Sequence, residues 1–469
     1  MQWNDAQIRA INVNRGPALI LAGPGSGKTT VIVHRIQNLI SSCGVSPEHI
    51  LVLTFTRAAA AQMRDRAALL LGKAAEGVTY GTFHSVFYRI LKQEWNISED
   101  RVITQEKKTE LLRRITALIP RNLSDAQLIK LEEELGRLRR GASPRTGEEE
   151  LLSGQELRFV SEVYVGYLRR YDLVDYDEMI ERTRELFLSE AKSRLTWRER
   201  YQYILVDEFQ DIDRQQYDLV RLLAYPADNL FVVGDDDQSI YGFRGAGTGI
   251  MQDFARDYPR AKKVLLARNY RSTPQILYAA GLVIRHNRRR FEKKLYTENP
   301  EGPRVRILIH EDAADETRTL TGEIRRLLDA GTDPGEIAVL VRVNAQKKSF
   351  SAAFKKAGIP VRAEEPQEEQ GGDRCGEKTV SNSDKTAPGI RLLTMHGAKG
   401  LEFEKVFIPQ CCEGLTPYRK AKTAEEIEEE RRLFYVAMTR AKTGLVVSCA
   451  GMMWNRRQAP SRFIEEITD

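Results

Sequence analysis

One stretch, Leu19-Ile-Leu-Ala-Gly-Pro-Gly-Ser-Gly-Lys28-Thr29-Thr30, constrains the fold of this chain more than any other. The apolar run from Pro17 to Ala22 predicts a buried strand. Gly23, Gly25 and Gly27 predict a loop that can wrap tightly, and the spacing from Lys28 to Ser41 predicts a helix. A strand, a glycine loop and a helix with Lys-Thr at the junction form the pattern that cradles nucleotide phosphates. Backbone N–H groups and the positive end of the helix then converge on one point. Lys28 is expected to reach toward a γ-phosphate, Thr29 to ligate magnesium, and Ser26 to lie within the wrap. The loop opens on Ala22 rather than glycine, which costs little because the tight turn comes later.

At 469 residues the chain is too long for a single core. Hydrophobic residues at 42% and charged residues at 29% describe a water-soluble globular protein, and no apolar run approaches the ~20 residues that span a membrane. The start, Met1-Gln-Trp-Asn-Asp, is polar and lacks a signal-peptide pattern. Five cysteines without a Cys-x-x-Cys spacing argue against a disulfide framework or a cysteine metal site and fit a reducing cytoplasm. The net charge of +6 is a small excess over 72 basic residues; it permits nucleic-acid binding without demonstrating it.

The texture changes along the chain. The phosphate-loop region continues through Ile50-Leu-Val-Leu-Thr-Phe55-Thr-Arg57, a second buried strand ending in polar residues. From about 90 to 195 long amphipathic helices are predicted, with Leu111, Leu112, Ile115, Leu118 and Ile119 on one face. Leu157, Val160, Val163, Tyr164, Tyr167 and Tyr171 share another. Strand patterns return at Tyr203–Val206, Asn229–Val233 and Lys263–Leu266, and a further set lies at Arg304–Ile309, Glu336–Val341, Ile390–Thr394 and Gly444–Ser448. A helix is expected from Asn344 to Ala357, closed by Gly358. Strands alternating with helices imply an α/β fold of two lobes with parallel sheets, the first interrupted by a helical insertion. The polar, acidic segment 364–389 has almost nothing to bury and reads as a surface link.

Asp207-Glu208 follows an apolar strand, which in this fold class delivers both acids to the phosphate loop. Asp207 suits a magnesium position, and Glu208 suits orienting and deprotonating a water. In Gly234-Asp-Asp-Asp-Gln238-Ser-Ile-Tyr241-Gly-Phe243-Arg244, Gln238 could sense a γ-phosphate, and Tyr241 and Phe243 could stack on bases.

Together these runs resemble one family. Asn4-Asp-Ala-Gln7, the glycine loop, Thr54-Phe55-Thr56-Arg57, Gly81-Thr82-Phe-His84-Ser85 and Asp207-Glu-Phe-Gln-Asp211 occur in order. They are followed by Gly234 to Tyr241, Asn269-Tyr270-Arg271-Ser272, Thr394-Met-His396-Gly-Ala-Lys-Gly400-Leu-Glu402-Phe403 and Arg431 to Ala441. The chain is similar to superfamily 1A DNA helicases of the UvrD/PcrA/Rep group, and the similarity runs from about residue 2 to Phe463.

The resemblance implies two RecA-like lobes: residues 1–88 and 195–264 as the first, 89–194 as its helical insertion, and 265–469 as the second. It implies ATP and Mg2+ as cofactors, with Gln7 reading the adenine edge, Tyr270 stacking on the base and Glu402 near the ribose. Arg271 and Arg440 would act on the γ-phosphate as fingers in cis. Phe55, Thr56, Arg57, Thr82, His84, Tyr241, Phe243, Arg244 and His396 match positions lining a single-stranded DNA groove. Trp454 matches the tip of a strand-splitting hairpin. The expected activity is 3′-to-5′ translocation or unwinding on single-stranded DNA, or on a duplex with a 3′ tail. The setting would be DNA repair, replication or recombination in the cytoplasm, with the chain a monomer or joined to a nuclease or repair factor. An ATPase motor subunit of a multi-protein anti-phage or recombination complex, and a nucleotide-switched clamp, are the other readings.

Departures from the family pattern stand out at five places. Thr30 replaces an arginine that sandwiches adenine, Ala58 a lysine and Gln62 a glutamate, while Gly242-Phe243 stands for Arg-Trp. The largest is the link at 364–389, where relatives insert a whole subdomain called 2B. Weak or partner-dependent unwinding is expected to follow.

Overall fold

A computed structural model of the protein describes residues 3–121, 123–141, 150–242, 249–362 and 389–468. The expected link at 364–389 lies, apart from Gly389, outside the described residues.

The first lobe is built in chain order from α1 (Asp5–Ile11), β1 (Ala18–Ala22), α2 (Lys28–Ser41), β2 (Ile50–Thr54), α3 (Arg57–Leu71), β3 (Thr79–Thr82) and α4 (Phe83–Glu94). Five helices follow: α5 (Gln105–Thr116), α6 (Asp125–Arg139), α7 (Gly154–Arg170), α8 (Tyr176–Ser189) and α9 (Ala191–Arg200). The chain then returns through β4 (Tyr203–Val206), α10 (Arg214–Ala224), β5 (Leu230–Gly234), α11 (Ile250–Asp257) and β6 (Lys262–Leu266). All pairings in this six-stranded sheet are parallel, in the order β3-β2-β4-β5-β1-β6. A parallel sheet must be covered on both faces, so its strands read as continuous apolar runs. Every residue of β1, β2, β4 and β5 is buried. Ile20, Val31, Ile36 and Val52 fill one face, and Leu19, Leu53, Phe87 and Phe187 the other. Truncating one such residue to alanine costs ~2–5 kcal/mol, so the carboxyl edge carrying the site is a rigid platform.

Helices α5, α6 and α7 close on a core of their own around Leu112, Leu131 and Tyr164, whereas α8 and α9 send Phe187 and Trp197 into the first-lobe core. The expected apolar faces need correction at their ends. Leu118 lies past the end of α5 and is 68% exposed, and Tyr167 and Tyr171 are also exposed. Leu168, four residues after Tyr164, takes the buried position, and the two tyrosines instead pack on each other at 4.4 Å. An i, i+4 aromatic pair is stable on a solvated helix face.

The short parallel pair β7 (Arg268–Asn269) and β8 (Tyr296–Thr297) flanks α12 (Pro274–Ile284). The second lobe continues with β9 (Arg306–His310), α13 (Ala313–Asp329), β10 (Ile337–Val341), α14 (Asn344–Lys356), β11 (Val361–Arg362), β12 (Ile390–Thr394) and β13 (Phe403–Ile408). It closes with α15 (Ala424–Met438), β14 (Ala441–Ala450), the two-residue strands β15 (Met452–Met453) and β16 (Arg456–Arg457), and α16 (Arg462–Thr468). Its sheet is again wholly parallel, in the order β11-β12-β10-β13-β14-β9. Gly358 adopts φ +67° just past α14, as its expected closing role requires. The sequence reading missed β13, because half-buried Glu404 and Lys405 interrupt an apolar run whose other residues are buried. No helix among the described residues is long and apolar enough to cross a membrane.

Candidate active site and nucleic-acid interface

The glycine loop leaves β1 and enters α2 through Gly25 at φ +62° and Gly27 at φ +83°, a region that costs side-chain-bearing residues strain. Ser26 Oγ donates to Gly23 O at 2.8 Å and ties the wrap together. The loop is also covered from the far side. Tyr270 N donates to Gly25 O at 2.9 Å, and Asn269 Nδ2 donates to Pro24 O at 2.8 Å. A Cβ on Gly25 would stand 2.7 Å from Arg271 Cβ, so the Asn-Tyr-Arg run lies directly on the loop. Gln7 Nε2 donates to Ser26 O at 3.3 Å, and Tyr270 Oη donates to Gln7 Oε1 at 3.3 Å. Gln7 and Tyr270 therefore sit together beside the loop, and the Arg268 guanidinium lies 4.7 Å from the Tyr270 ring centre. Thr29 and Thr30 are half-buried in the first turn of α2.

Asp207 and Glu208 leave β4 as expected, with Glu208 at φ +49°. Lys28 Nζ lies 2.8 Å from Glu208 Oε2. Burial works against the Lys28 ammonium, but Glu208, Asp207 and Asp235 outweigh it and raise its pKa. Burial, reinforced by Glu208, pushes the Asp207 carboxyl up to about 7. For Glu208 the order reverses: burial is overcome by Lys28 and Lys399, which bring it down to about 2. Two adjacent acids held so far apart are the pattern expected of a charged site. Asp207 Oδ1 is buried without a hydrogen-bond partner. An orphaned carboxylate oxygen close to Lys28 of the phosphate loop fits a divalent cation.

The second lobe supplies the other wall. Arg440 is buried, with Nε donating to Val436 O at 2.9 Å, Nη1 to Leu401 O at 3.2 Å and Nη2 to Gln238 Oε1 at 3.4 Å. Burial and the neighbouring Arg271 lower its pKa to about 9. Arg271 Nε donates to Glu402 Oε2 at 2.8 Å and Nη1 to Thr439 O at 3.1 Å. Glu402, expected near a ribose, is here the partner of this arginine. Gln238 Nε2 donates to Asp235 Oδ2 at 2.6 Å, which turns its amide oxygen toward Arg440. The structure thus gathers Lys28, Asp207, Glu208, Gln238, Arg271 and Arg440 around one seam.

The sequence reading assigned no role to Lys399, Arg290 or Lys293. Lys399 Nζ donates to both oxygens of Asp211, at 2.7 and 2.6 Å, and to Gln238 O at 2.9 Å. Lys399 lies within the run from Thr394 to Phe403, and its position after His396-Gly-Ala was the available signal. Sequence also separated Cys412 from Cys449, whose sulfurs the fold brings to 2.9 Å in the core.

Along the expected strand path, Phe55 and Tyr241 stack at 5.0 Å and 16°, and Tyr241 lies 6.5 Å from His396. Thr56 is exposed and caps α3, accepting from Ala59 N, with exposed Arg57 beside it. Thr82 caps α4 and accepts from Ser85 N. His84 meets Tyr176 of α8 edge-on at 4.9 Å, joining this end of the path to the inserted helices. Trp454 lies apart, at the tip of the β15–β16 hairpin, 70% exposed at φ +50° with Asn455 at +59°. Such paired left-handed residues make the tight turn that matches strand twist. Phe243 and Arg244 lie outside the described residues.

A phosphate loop, an acidic strand end and arginines from a facing lobe define a two-lobed P-loop nucleotide-binding protein. The family comparison agrees: the UvrD/REP helicase N-terminal domain matches residues 3–259, and the UvrD-like helicase C-terminal domain matches 264–368 and 376–451. The chain belongs to the UvrD/REP helicase family. It is 37% identical over 364 residues to the ATP-dependent DNA helicase PcrA of Staphylococcus epidermidis, covering 76% of this chain and 50% of that protein. DNA helicase II of Escherichia coli K12 is 37% identical over 371 residues, with 76% and 51% covered. PcrA of Bacillus subtilis is 36% identical over 364 residues, with 76% and 49% covered. The chain spans about half the length of these curated relatives.

Proposed function

We propose that the chain is an ATP-driven motor that moves 3′ to 5′ along single-stranded DNA in the cytoplasm, in repair, replication or recombination. The observation that carries this reading is the convergence of Lys28, Asp207 and Glu208 from one lobe with Arg271 and Arg440 from the other. In this reading residues 1–88 with 195–264, 89–194 and 265–469 are the working units. Lys28 and the loop N–H groups hold the β- and γ-phosphates, Gln7 and Tyr270 the base. Glu208, kept ionised, orients the attacking water and takes its proton. Thr29 and Asp207 would hold Mg2+, which supplies charge neutralisation at the phosphates. Because the fingers come from the facing lobe, hydrolysis needs closure, and losing the γ-phosphate releases it.

Phe55, Tyr241 and His396 form a platform on which bases stack. Thr56, Arg57, Thr82 and His84 contact the strand, and Trp454 splits pairs at a junction. Lys399 joins Tyr241, at 4.7 Å from its ring centre, to Asp211 beside Glu208, so strand binding and hydrolysis share a side chain. The polar segment at 364–389 in place of 2B supports weak or partner-dependent unwinding, and with it a role as motor subunit alongside a nuclease or repair factor.

The test is ATP turnover with and without single-stranded DNA, followed by translocation on oligonucleotides of defined polarity with Lys28→Ala as control. Turnover indifferent to DNA would refute the motor in favour of a clamp. Robust processive unwinding by the lone chain would refute the partner requirement.

A further inference from the structure

Residues 285–295, between α12 and β8, form a strap that is gripped at both ends. Toward its start, Asn287 Nδ2 donates to Glu428 O at 2.9 Å, Arg288 N to Glu428 Oε1 at 2.9 Å, and Arg431 Nη1 to Asn287 Oδ1 at 2.7 Å, all on α15. Toward its end the strap enters the Asp235–Asp237 turn of the first lobe. Arg290 donates from Nε and Nη2 to Asp237 at 2.8 and 2.7 Å, and Phe291 N donates to Asp236 Oδ2 at 2.6 Å.

Lys293 is the deepest element. Its side chain is fully buried, with Nζ 2.5 Å from Asp235 Oδ1, 2.5 Å from Asp236 Oδ1 and 2.9 Å from Asp237 Oδ2. Three carboxylates this close have the composition of a cation site, and here the cation is the ammonium group. Asp235 uses both oxygens: Oδ1 faces Lys293 and accepts from Asp237 N at 3.2 Å, while Oδ2 accepts from Gln238 Nε2 at 2.6 Å. Reversing the Gln238 amide would set its oxygen against that carboxylate.

We propose that Lys293 is a positioning residue for ATP hydrolysis: through Asp235 it fixes the Gln238 amide with its oxygen toward the nucleotide cleft. Gln238 then accepts hydrogen bonds there, from Arg440 and from the attacking water, rather than donating to the phosphate. Because α15 anchors the same strap, docking of the two lobes and alignment of Gln238 are one event. This rests on the reading above that Gln238 faces the γ-phosphate.

The experiment compares DNA-stimulated ATP turnover, binding of a fluorescent ADP analogue and the thermal midpoint in four proteins: wild type, Lys293→Met, Lys293→Met with Asp236→Asn, and Gln238→Ala. Lys293→Met should lower kcat about tenfold to a hundredfold, the scale of a small misplacement of a reacting group, with ADP affinity within about threefold of wild type. Adding Asp236→Asn removes one unpaired buried charge without touching Gln238. The midpoint should recover and kcat should stay low; if the single variant fails to fold, this double variant is judged alone by the same kcat and affinity criteria. Recovery of kcat together with the midpoint, wild-type turnover in either Lys293 variant, or affinity falling in step with kcat would each overturn the proposal. Wild-type turnover in Gln238→Ala would bring down the Gln238 reading as well, whereas impaired Gln238→Ala beside active Lys293 variants would overturn the proposal alone.

Discussion

Replacing Arg440 gives the sharpest test of the seam. Its guanidinium is held by Val436 O, Leu401 O and Gln238 Oε1, so the protein itself orients the fork and little ordering entropy is paid at the transition state. Fingers of this type contribute on the order of 10³–10⁵ in turnover, which at 1.36 kcal/mol per decade is about 4 to about 7 kcal/mol. Arg440→Ala should therefore reduce DNA-stimulated kcat by that factor while the affinity for ADP, which lacks the γ-phosphate, changes little. Leu401 O loses its side-chain donor in the variant, at ~1–3 kcal/mol if it stays dry, whereas Val436 O keeps Thr439 Oγ1 at 3.1 Å, so the thermal midpoint must be followed alongside. Arg440→Lys keeps the charge but not the fork, and should recover stability more than turnover. The assay is steady-state phosphate release at saturating single-stranded DNA, with a fluorescent ADP titration beside it. If Arg440→Ala, still folded, turned over within about threefold of wild type, the arginine would not be reading the γ-phosphate.

Three further outcomes follow from the same geometry. Asp207, whose carboxyl is pushed up to about 7, must be ionised to hold Mg2+. In the free enzyme kcat/KM should fall as pH drops through about 7, and rising Mg2+ should move that limb lower, since the metal competes with the proton; a limb indifferent to Mg2+ excludes Asp207 as its ligand. The sign for stability is opposite. A carboxyl raised from its ordinary value of 3.8 in the folded state loses folding free energy as pH climbs toward 7, so Asp207→Asn should raise the thermal midpoint at pH 8 while abolishing turnover, and an unchanged or lower midpoint speaks against the desolvation argument. Tyr241→Ala should weaken single-stranded DNA binding by ~1–3 kcal/mol in a fluorescence anisotropy titration, and should leave ADP affinity alone.

Much of the site could be read in the chain because its chemistry is local. The turn Gly23 to Lys28, the acid pair after β4 and the Asn-Tyr-Arg run each place their chemically distinctive side chains within a few residues. Their backbone geometry, such as φ +62° at Gly25, is a property of the segment itself. The parallel sheets were legible for the same reason: strands buried on both faces cannot hide their apolar runs. Where a run was broken by charge, as in Phe403-Glu-Lys-Val at β13, the signal failed. Tyr167 and Tyr171 kept the right spacing, yet Leu168 took the buried position in line with Leu157, Val160 and Tyr164.

Lys293 marks the boundary between the two kinds of information. Within Arg288-Arg-Arg-Phe-Glu-Lys-Lys it reads as one more solvated charge, and nothing in the neighbouring residues distinguishes it. Only the fold carries it to three aspartates more than fifty positions earlier and buries the whole group. The sequence by itself determined what each lobe holds and which lobe can grip a phosphate. The tertiary structure decided which charges face one another across the seam, since ion pairing depends on distance in space, and distance along a chain says little about it.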